Sequence, residues 1–275
     1  MSQQHDDHDD HKHGLEFDLE ALTQQRMRRR GVLALLGGGS VAALVASYAP
    51  AALAVDAICV VDASETAGPY PGDGSNNAPG NTSNILSDSG VVRSDIRSSF
   101  GTSTNTAAGV PMTFRIKIGD AGNACAGLPG YAIYLWHCTN DGKYSLYTAP
   151  DENYLRGVQV ADADGMVTFT TIVPGCYDGR WPHAHFEIYR SLDEATDHKN
   201  AILTSQFAFP TEACNEVYNN VAGYEASVSN FKRISLDSDM VFSDNSDDQM
   251  SMMTPMLTGN VTDGYAAEVT VGVAA

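Results

Sequence analysis

With 275 residues, 43% of them hydrophobic and 18% charged, the chain can build one sizeable core and a small appendage. Its formal charge of −18, from 16 basic and 34 acidic residues, makes a surface that repels phosphate backbones, and no basic or aromatic stripe offsets it, so nucleic acid is excluded as a partner. Setting residues 1–54 aside leaves 11 basic against 27 acidic residues, 11 − 27 = −16, so the acidity belongs to the remaining domain.

Residues 5–14, HDDHDDHKHG, resemble a metal-binding tract. Arg28-Arg29-Arg30 then precede Gly31-Val32-Leu33-Ala34-Leu35-Leu36, an apolar run that continues to the small-x-small pattern Ala52-Leu53-Ala54. Paired arginines, an apolar stretch and a cleavage-type site are the layout of a twin-arginine export signal. An uncleaved anchor is the competing reading, but the glycines and the Ala-x-Ala site favour cleavage, which leaves no stable membrane span and places the protein outside the cytoplasm, secreted or in the cell envelope. Cleavage removes the histidine tract with the signal and leaves His137, His183, His185 and His198. All five cysteines, Cys59, Cys125, Cys138, Cys176 and Cys214, follow the cleavage point, where an oxidising exterior permits disulfides. Their odd number leaves at least one thiol unpaired, no CxxC pair suggests a cysteine zinc site, and Cys138 and Cys176 read as structural, a bridge between them being one option.

Residues 55–110 form a loop-rich arm, with Gly, Ser, Asn, Thr and Asp dominating 63–110 and no helical or strand period. Regular structure is expected from 112, where Met112-Thr113-Phe114-Arg115-Ile116-Lys117-Ile118 alternates apolar and polar residues as a half-buried strand does. The run 131–137 is apolar on both faces and reads as a central strand. Further strands are expected at 158–160, 166–172, 184–189, 201–209 and 266–273, with turns at Asp141-Gly142 and Asp164-Gly165. The only plausible helix lies in 212–232. Short strands about ten residues apart predict an all-β domain over 111–275, an antiparallel, immunoglobulin-like β-sandwich with long wrapping loops and little helix.

The chemistry concentrates in Pro174-Gly175-Cys176-Tyr177-Asp178-Gly179-Arg180-Trp181-Pro182-His183-Ala184-His185. On a strand, His183 and His185 leave the same face and can share one metal ion, and the Pro-Gly turn lets Tyr177 fold back toward them. Phenol and imidazole donors suit a hard trivalent ion, whose charge lowers the phenol pKa until the oxygen binds deprotonated. A further anionic ligand is wanted, and Tyr144, after the Asp141-Gly142 turn, sits at a sheet end.

These residues resemble the intradiol ring-cleavage dioxygenases, the family of the catechol and protocatechuate 3,4-dioxygenases. The likeness rests on Trp136-His137-Cys138, Gly142-Lys143-Tyr144-Ser145, Arg156-Gly157, Asp164-Gly165, Phe169-Thr170-Thr171-Ile172, Tyr177 and Arg180-Trp181-Pro182-His183-Ala184-His185. Glu65-Thr66-Ala67-Gly68-Pro69-Tyr70 is similar to the family's entry motif, and Leu203-Thr204-Ser205-Gln206-Phe207 to its later glutamine strand. The resemblance implies that Tyr144, Tyr177, His183 and His185 bind non-haem Fe(III), and that Tyr177 is displaced when a catechol chelates the metal. It implies that Arg180 stabilises charge building on the catecholate, and that Gln206 supports Arg180 or the substrate. The chain departs from the family in a long stretch at 190–200, which loosens the assignment of Gln206, and in lacking the helical N-terminal segment of catechol 1,2-dioxygenases, which leaves homo-oligomerisation open.

The function so implied is that of an exported Fe(III) dioxygenase, with a small aromatic diol and O2 as its partners in the reaction, opening the ring between its hydroxylated carbons to a muconate-type diacid. A secreted module that binds catecholate ligands without turnover is the alternative, and a copper or zinc protein with the same ligands is a third. The presence of Arg180 favours the enzyme, since a binder has little use for transition-state charge stabilisation.

Overall fold

Alternation in the sequence becomes a two-sided strand at β3 (Pro111–Asp120), where Met112, Phe114, Ile116 and Ile118 are buried while Thr113 and Arg115 face solvent. In the computed structural model, which describes residues 59–78 and 81–275, β3 is the middle of the larger sheet. It pairs antiparallel with β4 (Ala126–Gly127) and with β7 (Met166–Ile172), and on its other side with the C-terminal β11 (Gly264–Val273). The outermost strand is β10 (Met256–Asn260), antiparallel to β11. A second, four-stranded sheet has the order β6 (Arg156–Val160), β5 (Ala132–Trp136), β8 (His183–Tyr189), β9 (Leu203–Ala208), antiparallel throughout.

One apolar core joins the two sheets: Phe114 and Ile116 from β3 and Phe169 from β7 belong to the same buried cluster as Ile133, Leu135, Phe186 and Phe207 of the smaller sheet. The opposite face of the smaller sheet is buried as well, with Tyr134, Trp136 and Tyr189 packed among Ile85, Leu86, Val91, Tyr144 and Tyr147. That second layer comes from the loop carrying Tyr144 and Tyr147 and from the arm, which is more ordered than its composition suggests. Its short strands β1 (Asp73–Ala78) and β2 (Asn81–Asn84) pair with each other, Val92 bridges to Val158, and Asp95 bridges to Thr170. The arm thus covers an edge of each sheet, where unpaired backbone groups would otherwise be exposed.

The domain is mostly β with three α-helices among the described residues, as expected at that level. Several expectations need correction. β3 and β11 run parallel, because the C-terminal strand returns beside β3 in the same direction rather than closing a hairpin. The helical stretch 212–232 divides into α1 (Thr211–Asn220) and α2 (Glu225–Phe231), and α3 (Asp247–Met253) and β10 were not anticipated. Cys59 pairs with Cys125, and Cys138, Cys176 and Cys214 are free and buried, so no Cys138–Cys176 bridge exists. The expected export signal lies within residues 1–58, outside the described residues. Among those described, no helix is long and apolar enough to cross a membrane.

The start of the arm carries a pH-sensitive contact. The Asp62 N–H donates to the Gly272 carbonyl at 2.9 Å, and the Gly272 N–H donates to Asp62 Oδ1 at 3.1 Å, while Oδ2 is buried without a hydrogen-bond partner. Burial pushes the Asp62 carboxyl up to about 7, with the Gly272 N–H pulling the other way. The folded state therefore holds a proton that the unfolded chain releases near pH 3.9, roughly the free aspartate value. Its contribution is full at lower pH, is lost as pH rises through the interval, and is gone above about 7. Tm measured from pH 4 to pH 8 should decline from this source, and Asp62→Asn should flatten that decline; an unchanged slope in the variant would remove Asp62 as its origin.

Candidate metal centre

The smaller sheet places the two histidines. Because β8 lies between β5 and β9 with both faces covered, Ala184, Phe186 and Ile188 enter the shared core and His183 and His185 project from the opposite face. His185 stands opposite Trp136 on β5 and Gln206 on β9. Its ring stacks on the Trp136 indole at 5.0 Å, nearly parallel at 6°.

Two loops bring the tyrosines. In the first, the Gly142 N–H donates to the Thr139 carbonyl at 3.1 Å, closing the turn before Tyr144, and the Tyr144 N–H donates to Thr148 Oγ1 at 2.8 Å. In the second, the Gly175 N–H donates to the same Thr139 carbonyl at 3.0 Å, so the turn before Tyr177 docks on the turn before Tyr144. Both contacts demand glycine: Gly142 has φ +84° and a Cβ there would sit 3.1 Å from Tyr177 Cβ, and a Cβ on Gly175 would meet the Asn140 carbonyl oxygen at 2.4 Å.

The four predicted donors converge. Tyr177 Oη lies 3.0 Å from His183 Nε2, Tyr144 Oη lies 3.4 Å from His183 Nε2 and 3.2 Å from His185 Nε2, and the two Nε2 atoms are 3.1 Å apart. Tyr144, His183 and His185 are almost wholly buried, while Tyr177 is half-buried at the opening.

The chemistry of this donor set fits a cation. His183 Nδ1 faces the Trp181 carbonyl, which can only accept, so Nδ1 holds the proton and Nε2 points a lone pair inward. His185 Nδ1 is buried with no partner. With no acceptor outside, nothing in the protein competes for the His185 ring, and two imidazole nitrogens 3.1 Å apart are best satisfied by a positive centre between them. Burial, then the Arg180 charge, lowers His183 to about 3, and burial and His183 hold His185 well below the ordinary histidine value, so both rings are neutral and ready to ligate. Burial, reinforced by Tyr177, raises Tyr144 well above the usual phenol value, so only a strong local cation would make it a phenolate. Donor separations of 3.0–3.4 Å suit atoms bound about 2 Å from a shared centre. No group of three or more His, Cys, Asp or Glu among the described residues could hold a metal, so a metal here depends on the phenols.

Arg180, only 1% exposed, is fixed beside these ligands. Its Nε donates to Asp239 Oδ2 at 3.0 Å and its Nη2 to Gln206 Oε1 at 2.7 Å, while Gln206 Nε2 donates to the Thr66 carbonyl at 2.9 Å. Gln206, the least secure of the sequence assignments, therefore contacts Arg180 and ties it to the arm. Asp239 was missed. It accepts from the Trp181 N–H at 2.7 Å, and its other oxygen accepts from the N–H groups of Val241 and Phe242. Burial alone would raise its carboxyl, but Arg180 and the Trp181 N–H more than offset this and hold it below the ordinary aspartate value. The only signal in the sequence was indirect: a buried arginine needs an anionic partner, and nothing distinguished Asp239 from its acidic neighbours. His137 lies behind the centre, with Nε2 at 2.6 Å from Thr171 Oγ1 and Nδ1 at 2.8 Å from the Cys138 carbonyl.

Residues 93–207 match a protein-family model described as dioxygenase. Among curated proteins, chlorocatechol 1,2-dioxygenase of Rhodococcus opacus is 42% identical over 53 residues, 18% of this chain and 21% of that protein, so the match spans about a fifth of its relative. Among solved structures, an intradiol ring-cleavage dioxygenase from Tetranychus urticae superposes with a TM-score of 0.54 at 19% identity, covering 67% of this chain and 87% of that one. The fold is therefore shared with that enzyme.

Proposed function

We propose that this chain is a member of the intradiol ring-cleavage dioxygenase family, a reading supported by the family-model match over 93–207 and the shared fold, and that it inserts both atoms of O2 into a catechol-type ring and opens it between the hydroxylated carbons to a muconate-type diacid. The observation that carries this reading is the convergence of Tyr144, Tyr177, His183 and His185, with donor atoms 3.0–3.4 Å apart beside a buried arginine. These four residues would hold Fe(III), which when bound withdraws electron density from a chelated catecholate and prepares its ring for O2. Export through a signal within residues 1–54, the arm and domain boundaries at 55–110 and 111–275, and an immunoglobulin-like arrangement of the sheets belong to the same reading.

The residues divide the work by burial. Tyr144 is 1% exposed and packed between Tyr70 and His185, so it stays in place. Tyr177 is the one ligand that is only half-buried, and its Oη is the group that would be displaced and take up a catechol proton as the diol enters. Arg180 cannot follow it, because Asp239 and Gln206 hold its guanidinium. Its fixed charge then meets negative charge developing on the ring in a site from which burial excludes water.

Purified protein should carry iron and a red to burgundy colour from tyrosinate bound to Fe(III), and anaerobic catechol should shift that band. It should consume O2 with at least one of catechol, hydroxyquinol, protocatechuate and caffeate. A colourless protein with stoichiometric zinc or copper would overturn the iron assignment, and a coloured protein that consumes no O2 with any of them would overturn turnover.

A further inference from the structure

We propose that Arg156 is a positioning residue for the metal centre: it sets the place of the Tyr144 phenol and fastens the arm over it. The inference rests on the intradiol reading above and concerns a residue that touches neither the ligands' donor atoms nor the opening.

Arg156 lies at the edge of the smaller sheet, in the cross-strand row Arg156–Trp136–His185–Gln206, so it shares a face with the centre. Its side chain is fully buried, and each of its five N–H donors meets an acceptor. Nε donates to Ser145 Oγ at 2.9 Å and Nη2 to the Ser145 carbonyl at 2.9 Å, so the guanidinium grips the residue next to Tyr144 at two points. The remaining donors reach the Tyr70 carbonyl at 2.8 Å, the Pro71 carbonyl at 2.8 Å and Tyr134 Oη at 3.1 Å.

Tyr70 in turn places its ring 5.0 Å from the Tyr144 ring. One side chain therefore fixes the backbone on both sides of the Tyr144 ring, that of its own loop and that of the arm segment packed on it. None of these five bonds goes to a carboxylate, so Arg156 is not held as half of an ion pair. Burying a cation among neutral oxygens alone is costly, and a planar fork with five donors is what the five acceptors require; the three donors of lysine cannot reproduce it. The loop it grips has further reason to need fixing, because Leu146 and Leu155, at its two ends, both occupy the left-handed region, with φ 69° and 56°.

Two variants of the full-length protein test this, with iron content, the tyrosinate absorption band, kcat, KM and Tm measured for each. Arg156→Lys should keep the four ligands and bind iron, yet shift the band and lower kcat/KM by about 100-fold, the scale of loss expected when a reacting group is displaced by about 1 Å. Ser145→Ala removes one of the five acceptors of Arg156, together with the hydroxyl's own donation to the Tyr154 carbonyl at 2.7 Å, and should move the band and kcat/KM in the same direction by less, at a Tm close to that of the parent. A band shift at unchanged Tm is a signature that loss of packing alone would not produce. If Arg156→Lys fails to fold, Ser145→Ala decides. Folded variants with the parental band and kcat/KM would overturn the role of Arg156 while leaving the intradiol reading intact. A colourless parent would instead overturn that reading before any variant was made.

Discussion

Replacement of His183 by alanine is expected to abolish iron binding, lowering affinity by more than about 100-fold, the upper range found when even an outer-shell partner of a ligand is lost. His183 Nε2 is the hub of the centre, lying 3.0–3.4 Å from the other three donor atoms. Its removal leaves Tyr144 and His185 deep in the protein and Tyr177 at the opening with no neutral donor between them. Tyr144→Phe should have a comparable effect for a different reason: it removes an anionic ligand whose ionisation the buried site permits only beside a cation. The two variants can be read without any assay of turnover. Iron added at 100 times its Kd stabilises a binding-competent protein by about 2.7 kcal/mol, a rise in Tm that both variants should lack. Iron retained in full by both would refute the ligand set.

Arg180→Ala is expected to keep iron, since all four proposed ligands remain in the chain, and to lower kcat by about 10²–10³, the loss typical of removing one charge-stabilising donor. A stability cost accompanies it. Asp239 would remain buried as an anion with only the N–H groups of Trp181, Val241 and Phe242 for compensation, and breaking such a pair on one side costs about 3–5 kcal/mol. The double variant Arg180→Ala with Asp239→Asn separates the two effects: it removes the unpaired charge but turns an amide NH2 toward a backbone N–H, so it should recover part of the stability and none of the turnover. Near-parental kcat in a folded Arg180→Ala protein would remove the arginine from the reaction.

The fold was legible wherever its signal was local. The alternation at 112–118 marked β3, the Asp164-Gly165 turn and the run after it marked 166–172, and the apolar stretch at 131–137 marked the centre of the smaller sheet. α3 was legible in principle, since Ser246 and Gln249 form a capping box whose S-x-x-Q spacing stands in the sequence. The acidic composition around it concealed the pattern. The pairing of β3 with β11, and of Cys59 with Cys125, had no local signal, because each joins segments far apart in the chain and is decided by how the sheets close.

The candidate site divides in the same way. Residue spacing by itself determined that His183 and His185 leave one face of a strand, because side chains alternate with a period of two, and that a phenol and a guanidinium stand close by in the chain. Family likeness, not spacing, singled out Tyr144 among 12 tyrosines. Only the tertiary structure decided that two turns dock on the Thr139 carbonyl to bring Tyr144 and Tyr177 to the histidines, that Asp239 and Gln206 hold Arg180, and that Arg156 grips Ser145 and the arm together. Those contacts depend on which buried donors find acceptors once water is excluded. The chain forms them in three dimensions between segments whose sequences carry no mark of each other.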